Sequence, residues 1–169
     1  MIVATKTKSA DPVKTLRANE RKWGKPLIKA GWTLIPNQLL ERQAALGLDP
    51  IDVNILLHIM RYWWEADRLP FPSKATIAKC IKSHPRTVQR RLAKLEGAGF
   101  IKRIARHHPE KGRQSNEYDF AGLIKQLTPM AEQYLAQREQ RQKENSNRLT
   151  PAGRPRSKVV GGSNKQGDS

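Results

Sequence analysis

Arg86, Thr87, Gln89 and Arg90 lie within five residues of one another, just after His84. An arginine guanidinium can bond guanine O6 and N7 together, and a glutamine amide does the same to adenine N6 and N7. The chemistry these residues offer is hydrogen bonding to planar edges and to phosphates. Bond-making chemistry lacks its parts. Cys80 is the only cysteine, and although Cys80 and His84 have the spacing of two ligands, no second close pair completes a zinc site. Cys80 therefore reads as a packed core residue, the histidines read as exposed, and neither metal nor any other cofactor is expected. Ser115 has no base beside it in sequence, and Gly97-Ala98-Gly99 follows a helix instead of opening one, so it is no phosphate cradle. A binding protein without enzymatic activity is the expectation.

A helix over 85–98 would position the polar cluster. At 100° per residue, Val88, Leu92 and Leu95 fall within about 60° of one another. Arg86 and Arg90 lie nearly opposite, flanked by Thr87, Gln89, Ala93 and Lys94. Bases are read from the first turns of such a helix, which selects His84, Arg86, Thr87, Gln89 and Arg90 as base contacts. Lys94, further along, reads as a phosphate contact. Ser83 reads as the N-cap, and the helix N-terminus it closes suits a phosphate.

The segment before it, Lys74 to Lys82, has a Ser73 cap and an inner face of Ile77 and Ile81. Lys74 and Thr76, in its first turn, point to phosphate. The segment after it carries two strands, Phe100–Arg106 and Asn116–Phe120, around a basic loop at 106–114. Arg106, Lys111, Arg113 and Gln114 in that loop read as backbone or minor-groove contacts, with Lys102 and Arg103 as weaker candidates. Short helix, tight turn, second helix and hairpin together make a winged helix-turn-helix, mostly α with a small β-hairpin wing.

The scaffold lies upstream. Trp32-Thr33-Leu34 reads as a short strand, followed by a helix from Pro36 with Leu39, Leu40 and Leu46 on one face, stopped by Gly47. Asp49-Pro50-Ile51-Asp52 opens a helix with an acidic cap, proline at the first position and a second acid in the first turn. That helix is expected to reach about Ala66 and to bury Ile51, Ile55, Leu56, Ile59, Met60 and Trp63, with Val53, Leu57 and Trp64 widening the stripe. Trp63-Trp64 could stack on single-stranded bases, but their place on the most apolar helix favours core packing.

Charge supports a polyanionic partner. The 169 residues carry 32 Lys+Arg against 15 Asp+Glu, a net +17. Each phosphate neutralised by such a chain releases condensed counterions. The charge is uneven: residues 32–72 are near neutral and apolar, whereas 73–120 carry 12 basic against 4 acidic residues. The expected organisation is a basic, largely flexible arm (1–31), a winged helix-turn-helix domain (32–120), an amphipathic helix (121–144) and a disordered basic tail (145–169). In the amphipathic helix Leu123, Ile124, Leu127, Met130, Ala131, Tyr134 and Leu135 form a stripe interrupted at Thr128-Pro129. The stripe serves equally as a homodimer contact through 121–135 or as cover for the same domain's core. No apolar run approaches the roughly 18 residues of a membrane span. With no secretion signal in MIVATKTKSADPVK, a cytoplasmic, nucleoid-associated protein is expected.

The stretch Thr76-Ile77-Ala78-Lys79 through Ser83-His84-Pro85-Arg86-Thr87-Val88-Gln89-Arg90-Arg91-Leu92 to Gly99-Phe100-Ile101 resembles bacterial helix-turn-helix proteins. Gly112-Arg113-Gln114-Ser115-Asn116-Glu117-Tyr118 resembles the wing that often follows in them. Pro85 departs from the pattern, where a small polar residue is more usual. Such proteins occur among transcription regulators and among replication or mobile-element proteins. The resemblance implies sequence-specific binding of double-stranded DNA by a transcriptional regulator, with a replication-initiation or maintenance factor of a plasmid or phage as the alternative. A non-specific RNA-binding or adaptor protein is the alternative of another class.

Overall fold

The computed structural model describes residues 12–110 and 112–149. Its elements are α1 (Pro12–Trp23), α2 (Lys25–Ala30), α3 (Asn37–Glu41), α4 (Pro50–Met60), α5 (Lys74–Cys80), α6 (Pro85–Gly97), β1 (Lys102–Ile104), β2 (His107–His108), β3 (Gly112–Arg113), β4 (Glu117–Asp119) and α7 (Ala121–Leu149). The chain forms two compact units, divided after Thr128.

α4 is the centre of the first unit. Asp49 accepts hydrogen bonds from the Ile51 and Asp52 amides, both at 2.9 Å, and Asp52 accepts one from the Asp49 amide. This reciprocal box, with Pro50 in the first turn, satisfies donors that a helix start leaves open. Val53, Ile55, Leu56, Ile59 and Met60 are buried against Leu39 of α3, Ile77 and Ala78 of α5, and Val88, Leu92 and Leu95 of α6. Phe100, Ile101, Tyr118, Phe120, Leu123 and Leu127 complete the core. Fully burying a side chain of this kind contributes about 1.5–3 kcal/mol, so the α6 inner face is held firmly.

β1 and β4 pair antiparallel, with Arg103 opposite Tyr118, and β2 pairs with β3 at the hairpin tip. The result is a mostly helical winged helix-turn-helix. The segment before α5 braces the hairpin: the Tyr118 amide donates to Pro70 O at 2.9 Å, and the Ser115 hydroxyl donates to Phe71 O at 2.8 Å.

Several expectations are corrected. Residues 12–23 and 25–30 are helical, because Pro12 suits a first helical position and Leu, Ala, Arg, Glu and Lys are good helix formers. The stripe Val13, Leu16 and Trp23 is their amphipathic signal, and all three side chains are exposed. Trp32–Leu34 forms no strand, and Leu34 is 80% exposed. The Leu39 helix ends at Glu41, ahead of Gly47, and leaves Leu40 exposed. α4 ends at Met60, where three consecutive aromatics, Tyr62, Trp63 and Trp64, make poor helix material. Trp63 thereby stacks on Phe120, centroids 5.4 Å apart, while Trp64 is 69% exposed and Ile51 also faces solvent. Cys80 is exposed, and His58 is half-buried. α7 passes through Pro129 and reaches Leu149.

In α7, Leu123 and Leu127 belong to the core and Ile124 is exposed. In the second unit the helix carries Tyr134 and Leu135 with exposed side chains. The proposed tail, apart from its first residues 145–149, lies outside the described residues.

The start of α7 approaches the end of α6 closely. The α6 helix closes in a Schellman turn, Phe100 N–H to Leu95 O and Gly99 N–H to Glu96 O, with Gly99 at φ +72°. Leu123 N–H then donates to Phe100 O at 2.9 Å. A Cβ on Gly122 would stand 2.0 Å from Gly99 O, so only glycine fits. Gly122→Ala is expected to cost about 1–3 kcal/mol through forced backbone movement, read as a lower urea midpoint with an unchanged slope.

Candidate nucleic-acid interface

The turn between α5 and α6 is tight. Ser83 N–H donates to Ala78 O at 2.9 Å and Lys82 occupies the left-handed region at φ 49°, closing α5 in a second Schellman turn. Ser83 is consumed by that closure, so the N-cap of α6 is His84, whose Nδ1 accepts from the Arg86 amide at 3.2 Å. This corrects the Ser83 cap. Pro85 follows as the first helical residue, where a missing N–H is harmless.

From this start, Val88, Leu92 and Leu95 turn inward and Arg86, Gln89, Arg90 and Ala93 outward. His84, Arg86, Thr87, Gln89 and Arg90, the five expected base contacts, line one shallow depression with Ala93. Thr87 is half-buried and the other four are exposed. A second groove runs between the first turn of α5, the outer face of α6 and the wing, lined by Lys74, Gln89, Arg113, Gln114 and Asn116 among others. Lys74 Nζ donates to Gln89 Oε1 at 3.1 Å across it. Lys74, Arg86, Arg90 and Arg113 make no ion pair among the described residues, so four cations face solvent unneutralised.

The remaining cations of α6 are committed inward. Arg91 Nη1 bonds Asp49 Oδ2 and lies 3.5 Å from Asp52 Oδ1, and Lys94 Nζ bonds Asp52 Oδ2 at 2.6 Å. The Asp52 carboxylate is fully buried. Lys94, expected at phosphate, is thus anchored to α4, because Asp52 lies within reach of its amine. Capping alone does not account for Asp49 and Asp52. The signal for this contact was the pair of cations three residues apart, Arg91 and Lys94, on the flank of a helix that must pack on α4. Burial raises the Asp49 carboxyl, but the Asp52 amide, the Arg91 charge and the further hydrogen bonds outweigh it and leave its pKa below the ordinary value.

Other expected phosphate contacts are also occupied. The Thr76 hydroxyl shares a 2.8 Å hydrogen bond with Ser73, which caps α5. The Arg106 guanidinium lies 4.1 Å from the Phe71 ring centroid, and its Nε is 3.4 Å from Glu117. It orients the wing from within. Arg103 Nε donates to Glu96 Oε2 at 2.7 Å and its amide to Glu96 Oε1 at 2.9 Å, tying β1 to α6. Those two hydrogen bonds hold the Glu96 carboxyl below its usual range. Lys102 is exposed, and Lys111 lies outside the described residues. Asn116 and Ser115, which border the groove, carried no sequence signal beyond their place in the wing.

Among the described residues no three His, Cys, Asp or Glu side chains group as metal ligands, and no helix is long and apolar enough to cross a membrane.

The lowered Asp49 and Glu96 carboxyls set a pH dependence. A folded pKa below the unfolded one gives stability that is present above the unfolded value and is lost as pH falls through the folded one. Thermal midpoints should therefore hold near neutrality and fall in acid, below about pH 4–5. Glu96→Gln should lower the neutral midpoint and flatten that acid loss; an acid profile identical to wild type would contradict the assignment.

A family model described as a helix-turn-helix domain matches residues 46–101. No curated protein matches the chain. Among solved structures, the N-terminal domain of DnaD from Geobacillus kaustophilus is similar at 21% identity over 73% of this chain and 96% of that one, with a TM-score of 0.49. A possible transcriptional regulator from Methanosarcina mazei matches at 22% identity over 61% of this chain and 82% of that one, TM-score 0.39. The YusO protein from Bacillus subtilis matches at 15% identity over 85% and 100%, TM-score 0.36.

Proposed function

We propose that the chain, whose residues 46–101 match a helix-turn-helix domain model, binds duplex DNA sequence-specifically and acts as a transcriptional regulator. The observation that carries this reading is the sorting of cations on α6. Arg91 and Lys94 are held by Asp49 and Asp52, whereas Arg86 and Arg90, in the first turns, stand exposed with no acidic partner among the described residues. The major groove admits a helix, and the first turns of a recognition helix meet base edges. Arg86, Gln89 and Arg90 then set base preference, with Thr87 and His84 beside them. On binding, Lys74 exchanges its bond to Gln89 for a phosphate, freeing the amide for an adenine edge.

The wing supplies backbone affinity through Arg113 and Gln114. Lys94 and Arg106 are better assigned to positioning α6 and the hairpin than to phosphate. A homodimer fits this reading through Tyr134 and Leu135, exposed members of the 121–135 stripe in the second unit; Leu123 and Leu127 are already committed to the core.

The test compares two variants on a preferred duplex and on unrelated ones. Arg90→Ala should cost about 1–3 kcal/mol on the preferred site and relax preference at one base pair. Arg113→Ala should weaken all duplexes alike and reduce the log–log salt slope by about one. If Arg90→Ala also weakened every sequence equally, base reading by α6 would be wrong.

A further inference from the structure

Trp63 and Trp64 are neighbours with opposite fates. Trp63 is partly buried and packs against the core, stacked on Phe120, while Trp64 is 69% exposed. Trp64, Tyr62, Leu69 and Phe71 line a surface hollow of about 660 Å³. All three aromatics keep more than a third of their surface in solvent. Cations attend the rings: Arg61 lies 5.3 Å from the Tyr62 centroid, Arg106 lies 4.1 Å from the Phe71 centroid, and Arg68 lines the hollow together with Glu65.

The hollow adjoins the interface described above. Ser73 and Ser115 line both this hollow and the groove that holds Lys74, Gln89 and Arg113. A nucleic acid lying along the wing therefore reaches the aromatics without leaving the protein surface. Bases inside a duplex have their faces stacked on one another and present only edges in the grooves. An aromatic surface bordered by cations has nothing to read there. An unpaired base offers a free π-face, and stacking on aromatics is how single strands are held whatever their sequence.

We propose that this hollow takes an unpaired base from a single strand continuing out of the duplex at the wing, so that the protein binds duplex–single-strand junctions in preference to blunt duplex. The inference rests on the duplex-binding reading. In it, Trp64 is the principal stacking surface, Tyr62 the flanking one, and Arg68 stands beside the sugar–phosphate chain, while Arg106 keeps its place against Phe71 and Glu117.

The experiment measures affinity by fluorescence anisotropy for a blunt duplex, the same duplex with a tail of about six nucleotides on either end polarity, and the same with an abasic tail. The base-bearing tail of one polarity should tighten binding at least about fivefold, and the abasic tail, which adds phosphates alone, should not. Trp64→Ala should abolish the gain and leave blunt-duplex affinity unchanged, and Trp64→Phe should keep part of it. Trp64 is exposed, and an unchanged thermal midpoint verifies that the variants fold. Equal affinity for tailed and blunt duplex would overturn the proposal alone and leave the hollow to a small planar ligand. An equal gain from the abasic tail, or an equal loss on all substrates in Trp64→Ala, would overturn it too. Failure to bind any duplex would overturn the duplex reading and this inference together.

Discussion

The Asp52 carboxylate has no exposure to solvent, and two helices meet on it. It closes the capping box that starts α4 and accepts the Lys94 ammonium of α6, while Asp49 beside it receives Arg91. A carboxylate buried in this way must be hydrogen-bonded and paired, or its desolvation would cost several kcal/mol. Both conditions are met here by residues that also fix the rotation of α6. The outward direction of Arg86, Gln89 and Arg90 follows from that rotation. The same contact neutralises two cations of the helix, so its unpaired charge is concentrated in the first turns.

The wing is fixed by an analogous device on the other side of α6. Glu96 holds Arg103 through both backbone and side chain, and Glu117 with the Phe71 ring holds Arg106. Pro70 and Phe71 carbonyls complete the bracing. Cations close to the scaffold thus become struts, and those at the rim, Lys74 and Arg113, remain available.

Most of this architecture was legible in the sequence because it is written in local patterns. The acidic start Asp49-Pro50-Ile51-Asp52, the Val88-Leu92-Leu95 stripe and the hairpin all have short-range signatures. What was not legible depends on long-range partners. Whether Lys94 meets phosphate or a carboxylate is decided by α4, over forty positions upstream in the chain. Whether Ser83 or His84 caps α6 is decided by how tightly α5 closes. Trp63 and Trp64 are chemically identical, and only the end of α4 at Met60 sends one into the core and the other to the surface. Helicity in 12–30 was missed because three apolar residues spread over eleven positions make a weak stripe.

Base reading by α6 is tested most directly by selection of bound sequences from a random duplex pool at about physiological salt, where non-specific binding is weak. A recovered motif, with guanine or adenine at fixed positions that change in Arg86 or Gln89 variants, is the predicted result. Selection without enrichment, with binding that disappears as salt rises, would contradict it and leave only an electrostatic hold on the phosphate backbone.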